Sequence, residues 1–310
     1  MNLRIPIVVL ICGLIPEACV GKGLLTDGSS VSVGTHSRGA LRHAARLPLR
    51  GEGYVIPPTW AARKRNYGTD ELVALLGRTA RRVLRRYPRS RLAVADLSPR
   101  GGGPTHEHGS HRSGRDVDLI YYATDLQGHP VDPTEMIHYD ATGHSVQAHP
   151  HPHATKRTHP PRAAGAAKRP ALTTANTAAP KPTRLDLRRN WALVSALVTD
   201  PNVPVQWIFI GRRLSRLLLR YARRAHQPSQ LVERVALVMR QPGDASPHTD
   251  HIHVRVFCDP GDRYQGCVDR GPRRFLGKTL KYLDAPPRGP RITRRILDRL
   301  GLRSAPYPLL

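Results

Sequence analysis

The interval 141–184 divides the chain into two parts that must fold together. Its sequence is rich in Pro, Ala, Thr and His and has neither helical nor strand periodicity. Such a segment cannot bury enough apolar surface to offset the entropy of ordering it, so we expect a disordered insertion. One domain, at 33–270, must therefore be assembled from the residues on both sides of the insertion.

Histidines are frequent within this insertion. A loose metal-binding tract is one interpretation of them, but a solvated tract is the interpretation that we favour. The histidines lie at positions 144, 149, 151, 153 and 159. We therefore look for the functional residues outside the insertion.

The part before the insertion has one strong helical pattern and two strand-like runs. Apolar residues at helical spacing predict a helix over 69–87. Strands are predicted at 91–98 and 116–122, on either side of a glycine-rich loop. Alternation along the second strand places Asp116 and Asp118 on one face, opposite its apolar residues, so both carboxylates point towards one site.

The part after the insertion alternates helices with single strands. We predict a helix at 185–200, a strand at 203–210, two basic amphipathic helices up to about Arg240, and a strand at 251–257. Helices interleaved with separate strands favour an α+β fold, in which helices flank a small antiparallel sheet. The basic tail at 271–310 predicts at most one short helix.

The N-terminal residues 1–22 resemble an export signal. A short apolar run from Ile5 to Ile15 is too short to span a bilayer, and nothing later in the sequence approaches a membrane span. Cys19 follows Ala18 as an acylated lipoprotein cysteine would, although Pro16 and Glu17 fit that motif badly. Simple cleavage and a buried structural cysteine are the alternatives to a lipid anchor at Cys19.

Two further cysteines, Cys258 and Cys267, are separated by a short glycine-containing segment. In an exported protein such a pair predicts a disulfide that closes a short loop. Two free buried thiols are the alternative.

The formal net charge of +26 has two ordinary explanations, a nucleic-acid partner or an exported protein that works against a polyanionic surface. The basic residues are scattered and lack the aromatic interleaving of a base-stacking platform. The charge alone does not choose between the two explanations.

Histidines and aspartates form two clusters, "HEHGSHRSGRDVDL" at 106–119 and "SPHTDHIHVRVFC" at 246–258. On a strand, His251 and His253 project from the same face while the residues between them face the core. Two imidazoles and one carboxylate that leave a position for water are the ligand set of a catalytic zinc, and His111, Asp118 and His253 supply that set. His108, His248 and His251 lie nearby in sequence. Each motif alone has an ordinary alternative, a surface or core histidine pair or a turn-capping aspartate.

The patterns "HxSHxxGxDVD" and "HxxHxHVR" closely resemble the penicillin-insensitive murein endopeptidases. These are exported zinc peptidases, related to D-Ala-D-Ala dipeptidases and lysostaphin-like enzymes. The resemblance runs from about Val33 to Cys267 and is interrupted by the insertion. It implies a periplasmic enzyme that uses Zn²⁺ to hydrolyse peptide cross-links of peptidoglycan.

The resemblance also implies a role for each matching residue. The residues that match zinc ligands are His111, Asp118 and His253, with His108 at a position that is sometimes counted as an additional ligand. His251 matches the histidine assigned to catalysis, and His248 matches another histidine of the same cleft.

Two residues receive roles from the strand faces on which they lie. Asp116 faces the same way as Asp118, which suits a carboxylate that orients a ligand. Arg255 shares the face of the strand histidines and is a candidate partner for a substrate carboxylate, with a solvated strand residue as the equal alternative.

Two departures from the family leave bond specificity open. The chain lacks the extra cysteines of some members, and its insertion falls where substrate-binding loops are expected. A catalytically inactive cell-wall-binding module and a basic nucleic-acid-binding protein are the alternative functions. We expect peptidoglycan rather than nucleic acid as the partner.

Overall fold

A computed structural model describes residues 26–146, 181–243 and 247–272. The predicted export signal at 1–22, Cys19 and almost all of the predicted tail at 271–310 lie outside the described residues. The same holds for most of the predicted insertion.

The described chain contains short and medium helices among many short strands. The helices are α1 (Pro58–Ala61), α2 (Asp70–Arg86), α3 (Leu187–Val198), α4 (Arg212–Arg224), α5 (Ser229–Val238) and α6 (Pro260–Tyr264). The strands before the insertion are β1 (Val31–Thr35), β2 (Arg38–Arg42), β3 (Ala45–Arg46), β4 (Arg50–Gly51), β5 (Tyr54–Val55), β6 (Tyr67–Gly68), β7 (Leu92–Ala93), β8 (Asp116–Ile120), β9 (Ala123–Thr124), β10 (Pro130–Val131), β11 (His138–Tyr139) and β12 (Ser145–Val146). Those after it are β13 (Arg184–Leu185), β14 (Val205–Phe209), β15 (Met239–Arg240) and β16 (His251–Val256).

The largest sheet in the described chain has the strand order β15-β14-β16-β8. It joins a strand from before the insertion to three strands from after it, as a single domain requires. The predicted α+β class is confirmed. The sheet is mixed rather than purely antiparallel, because β14 pairs parallel with β15 while β16 pairs antiparallel with both of its neighbours.

Helices α2 to α5 and the apolar face of this sheet form one core. The sequence fixes α2 at both ends, since the Thr69 hydroxyl accepts from the backbone N–H of Leu72 and basic residues occupy the last turn. Its buried stripe includes Leu72, Leu76 and Val83. Alternation along β16 sends Ile252, Val254 and Val256 into the core, so His251, His253 and Arg255 occupy the other face.

The ordered chain extends into both ends of the predicted insertion. The backbone N–H of Ser145 donates to the carbonyl of Thr183, and that of Leu185 donates to the carbonyl of Gly143. Strand β13 also pairs with β9. These backbone hydrogen bonds give local structure to residues that lack apolar periodicity. The composition of the sequence therefore predicted an insertion that begins too early and ends too late.

Cys258 and Cys267 form the predicted disulfide beside β16. Close to it, the buried Arg115 contacts Asp269 and Ser32, which ties the start of β8 to β1. No helix among the described residues is both long and apolar enough to cross a membrane.

Candidate metal and catalytic site

The pairing of β16 with β8 brings the two predicted clusters together. The register places His253 opposite Asp118 and Arg255 opposite Asp116. Residues paired in this way have Cβ atoms about 4.5–5.5 Å apart, so their side chains meet on one face. The site therefore depends on long-range pairing between the two sequence blocks.

His108 and His111 reach the same place from the glycine-rich loop before β8. The backbone of His111 has a positive φ of 62°, a conformation that costs energy in a residue with a Cβ atom. Its ring is almost fully buried, and its Nδ1 lies 2.7 Å from the carbonyl oxygen of Leu97. The fold thus maintains an unfavourable backbone geometry that aims this imidazole inward.

Four imidazoles surround the carboxylate of Asp118. The nearest ring nitrogens to its oxygens are His253 Nδ1 at 3.2 Å, His111 Nε2 at 3.3 Å, His251 Nε2 at 3.5 Å and His108 Nδ1 at 3.9 Å. Asp118 and His111 are 1% exposed in their side chains, whereas His251 is 16% and His108 is 19% exposed. The site is therefore open to solvent on the side of His108 and His251.

The second nitrogen of each ring is held by an acceptor outside the cluster. His111 Nδ1–H donates to the carbonyl of Leu97, and the other three rings donate to carboxylates. These pairs are His108 Nε2 with Asp96, His251 Nδ1 with Asp250 and His253 Nε2 with Asp116, each at 2.8 Å. In its neutral form each ring consequently presents a lone pair, rather than a proton, to Asp118.

Several inward-facing atoms have no hydrogen-bond partner. Both oxygens of Asp118 and Nε2 of His111 are buried and have no hydrogen-bond partner among the described residues. Unpaired buried polar atoms are costly, and lone pairs that face a carboxylate repel it. A cation at the shared point would satisfy all of them. One ligand atom from each of His108, His111 and Asp118 lies within 4.8 Å of the others, so the residues present fit a metal ion.

The electrostatics of the cluster favour ionised aspartates. Burial by itself raises the pKa of Asp118, but the positive charge of His111 and His251, when these rings are protonated, outweighs burial and holds that pKa well below its usual range. Burial lowers the pKa of His251, yet Asp118 and Asp250 reverse this effect and raise it. Asp118 is therefore ionised and is stabilised by positive charge beside it, from a protonated ring or from a bound cation.

Asp116 and Arg255 form a buried pair behind His253. Arg255 Nε donates to Asp116 Oδ1 at 2.6 Å, and the same oxygen accepts from His253 Nε2. Arg255 is only 5% exposed and lies over the ring of Phe209. Thus the solvated alternative for Arg255 does not hold. Because this guanidinium is enclosed, it supports Asp116 instead of facing the open side of the site.

His248 lies at the edge of the cluster. Its ring centroid is 4.7 Å from that of His251 and 5.6 Å from that of His253. Its backbone carbonyl accepts hydrogen bonds from Gly211 and from the Tyr121 hydroxyl, which fixes the loop before β16. The structure therefore places all of the predicted site residues in one region.

Two supporting aspartates were not predicted from the sequence. Asp96 accepts from His108 and Arg65 and forms an ion pair with Arg63, while Asp250 accepts from His251. Asp96 interrupts an otherwise apolar strand-like run, and Asp250 directly precedes a predicted catalytic histidine, so both positions carried a signal. Glu107, by contrast, is 46% exposed and forms ion pairs with Arg63 and Arg65. It is not one of the side chains that face Asp118.

Comparisons with known proteins agree with the first motif. Residues 32–162 match the sequence profile of the family described as penicillin-insensitive murein endopeptidase. Curated proteins of that name from Escherichia coli O1:K1 / APEC, strain SMS-3-5 / SECEC and O45:K1 strain S88 / ExPEC are each 32% identical to this chain over 94 residues. The predicted resemblance is confirmed over this region.

The extent of the similarity is limited. The aligned residues make up 30% of this chain and 33% of each relative, so the chain spans about a third of the length of the curated relatives that it matches. The profile match includes His108, His111 and Asp118 but ends before His251 and His253. The second motif therefore lies outside the profile match. It is the pairing of β16 with β8 that brings it to the site.

Proposed function

We propose that this chain, whose residues 32–162 match the profile of the penicillin-insensitive murein endopeptidases, is a zinc-dependent endopeptidase that hydrolyses peptide cross-links of peptidoglycan. The observation that carries the proposal is the buried carboxylate of Asp118, which accepts no hydrogen bond from the described residues and is surrounded by four imidazole rings. A structural role alone gives no reason for that arrangement, because an apolar side chain would fill the same space at lower cost.

The donor set indicates which metal the site would hold. Imidazole nitrogen combined with a single carboxylate suits zinc, and the absence of cysteine among these donors separates the site from Cys-rich structural zinc sites. We assign His111, Asp118 and His253 as ligands, with His108 as an additional candidate. When bound, zinc would supply Lewis acidity that activates water near neutral pH and polarises the scissile carbonyl.

The surrounding residues would fix these ligands in place. Asp116 holds the ring of His253 by its Nε2–H, and the Leu97 carbonyl holds His111 by its Nδ1–H. Such outer hydrogen bonds select the tautomer and the ring orientation that leave the inner nitrogen available. Arg255 keeps Asp116 ionised, so this support does not depend on the substrate.

We assign proton transfer to His251. Asp250 orients its ring, and its Nε2 faces the centre of the site from the solvent-exposed side, where a peptide would enter. An imidazole in that position can carry a proton to the leaving amine or donate to the oxyanion. His248, beside it, is assigned to the same cleft.

The partner that follows from this function is peptidoglycan, in the periplasm. Export through residues 1–22 and a lipid anchor at Cys19, with cleavage as its alternative, belong to the same proposal. The free carboxylates of peptidoglycan peptides suit a protein with a formal net charge of +26.

Digestion of purified cross-linked sacculi tests the proposal. We expect soluble muropeptides to be released by the protein, to be absent after chelation, and to return when zinc is added in slight excess. Mass spectrometry of the products identifies the bond that is cut. An inactive wall-binding module would instead pellet with sacculi and release no product whatever metal is added. A nucleic-acid-binding protein would bind a DNA duplex with a strong salt dependence and ignore sacculi.

A further inference from the structure

An unpartnered row of arginines covers the outer face of α4, within the sequence "RRLSRLLLRYARR". The helix contains no acidic residue. Among the described residues, none of the exposed arginines of α4 forms an ion pair with a carboxylate. They are Arg212, Arg213, Arg216, Arg220, Arg223 and Arg224.

The arginines occupy one side of the helix. At about 100° per residue they fall within an arc of about 120°, and the buried Leu214, Leu218 and Ala222 lie on the opposite side. The row is about 18 Å long at 1.5 Å per residue. It therefore presents a continuous strip of positive charge that points directly away from the core.

The stability of the helix does not explain this strip. Arg212 and Arg216 are like charges at i and i+4, as are Arg216 and Arg220, and such pairs oppose helix formation. Cations in the first turn also face the positive end of the helix dipole. Since the core requires only the apolar side of α4, the charged side calls for a partner outside the described chain.

The strip begins beside the candidate site. The backbone N–H of Gly211, the residue that precedes α4, donates to the carbonyl of His248 at 2.8 Å. A cavity of about 280 Å³ lies between the start of α4 and the loop that leads to His251, lined in part by Arg212, Arg213 and Thr249. Asp140 also lines this cavity, but its side chain accepts from Thr142 and His144 in its own loop.

We propose that α4 is an anion-binding strip that holds carboxylate-bearing strands of peptidoglycan and guides them to the site at its N-terminal end. This inference rests on the proposed function for the identity of the polymer. A linear strip that starts next to His248 favours an extended anionic polymer that continues into the cleft over a planar membrane surface. The guanidinium group suits the carboxylates of wall peptides because it can bind them through two parallel hydrogen bonds.

Binding to sacculi can be measured separately from hydrolysis. The full-length protein is incubated with purified sacculi in the presence of chelator and then pelleted. The triple variant Arg216→Gln, Arg220→Gln, Arg223→Gln removes the middle of the strip and avoids the residues that line the cavity. The control variant Arg42→Gln, Arg46→Gln, Arg50→Gln removes the same charge from exposed positions on β2, β3 and β4.

We expect the dissociation constant for sacculi to rise at least about tenfold in the α4 variant and to change less than about twofold in the control. Replacing the same three residues with Lys should retain most of the binding, because the charge is kept. Sacculi whose carboxyl groups have been amidated should bind the wild-type protein as weakly as unmodified sacculi bind the α4 variant. If the α4 and control variants lose the same amount of affinity for sacculi, the effect is due to net charge alone and the proposal is overturned.

Two further measurements separate the alternatives. A soluble cross-linked muropeptide dimer at saturating concentration does not need the strip to bring it to the site, so the α4 variant should cleave it at the wild-type maximal rate. If wild-type protein cleaves the dimer but sacculus binding is independent of α4, the strip is wrong and the proposed function stands. If neither substrate is cleaved but pelleting with sacculi still depends on α4, the proposed function is wrong and the anion-binding strip stands. Tighter α4-dependent binding to phosphatidylglycerol vesicles than to sacculi would assign the strip to a membrane and overturn the proposal.

Discussion

Two clusters of buried charge meet at the start of β8, and they are built in opposite ways. Arg115 donates from Nε to Ser32, from Nη1 to Asp269 and the carbonyl of Val256, and from Nη2 to the carbonyl of Val268. Both oxygens of Asp269 accept hydrogen bonds. Three residues along the chain from Arg115, Asp118 is equally buried but accepts none.

On the proposed function, this difference separates groups that stabilise the fold from groups that bind the metal. A buried ion pair with its hydrogen bonds complete is self-sufficient, and losing one partner exposes the full cost of desolvating the other. A buried carboxylate that accepts no hydrogen bond is costly unless a positive charge beside it compensates the lost hydration. We therefore expect substitutions in the two clusters to fail differently, and the following predictions test that difference.

The largest expected effect follows substitution of a ligand. Asp118→Asn and His253→Ala should lose zinc and lower muropeptide release by at least about 10³-fold, because the metal's stabilisation of the transition state disappears with it. Zinc is measured by mass spectrometry on the purified protein. His129→Ala, which removes an exposed histidine outside both motifs, should keep both properties. A ligand variant that retains stoichiometric zinc and full activity would contradict the assignment.

Substitution in the satisfied cluster should affect folding instead. Arg115→Ala leaves Asp269 buried without its main cation, and we expect the free energy of unfolding to fall by about 3–5 kcal/mol. Chemical denaturation of the metal-free protein measures this loss. Asp125→Ala, which breaks an exposed pair with His129, should leave the free energy of unfolding close to that of the wild-type protein. If Arg115→Ala folds normally but loses zinc, the two clusters are not independent.

His251 sharpens the comparison within the candidate site. His251→Ala should keep zinc, since the three proposed ligands remain, while turnover falls by roughly 10²-fold through loss of a proton carrier or oxyanion donor. His253→Ala, two residues away on the same strand face, should lose metal and activity together. Loss of zinc in His251→Ala with zinc retained in His253→Ala would reverse the two roles.

A smaller effect is expected from the aspartates that orient the rings. Asp96→Asn weakens the support of His108 and Asp250→Asn weakens that of His251, and changes of this kind typically cost about 10–100-fold in metal affinity or activity. If His108 is a ligand, Asp96→Asn should lower zinc affinity, measured by competition with a chromogenic chelator. Asp250→Asn should lower turnover with zinc affinity unchanged. Equal zinc affinity in Asp96→Asn and wild-type protein would remove His108 from the ligand set.

Much of this arrangement could be predicted from the sequence, because strand alternation and helical periodicity are local properties. The spacing of His251 and His253 and the paired aspartates of β8 predicted shared faces without any tertiary information. Their registration across the sheet could not be predicted in the same way, since it depends on contacts between residues on opposite sides of the insertion. Asp96 and Asp250 were missed because an aspartate beside a strand is usually a solvated or capping residue, and only the fold turns these two towards histidines.

The smallest effect should follow removal of 147–180, with a linker of about six Gly and Ser residues joining Val146 to Lys181. The ends are already close, because the backbone N–H of Ser145 donates to the carbonyl of Thr183 at 2.9 Å, and shortening a closed loop changes its closure entropy only slowly. We expect the free energy of unfolding to change by less than about 1 kcal/mol and both buried clusters to behave as in the full chain. Deleting all of 141–184 should destabilise the protein more, because it also removes ordered backbone. Arg184 pairs with β9, and the backbone groups of Gly143 and Ser145 form hydrogen bonds with Leu185 and Thr183. Loss of zinc on the shorter deletion, without loss of stability, would mean that residues of the insertion contribute to the site.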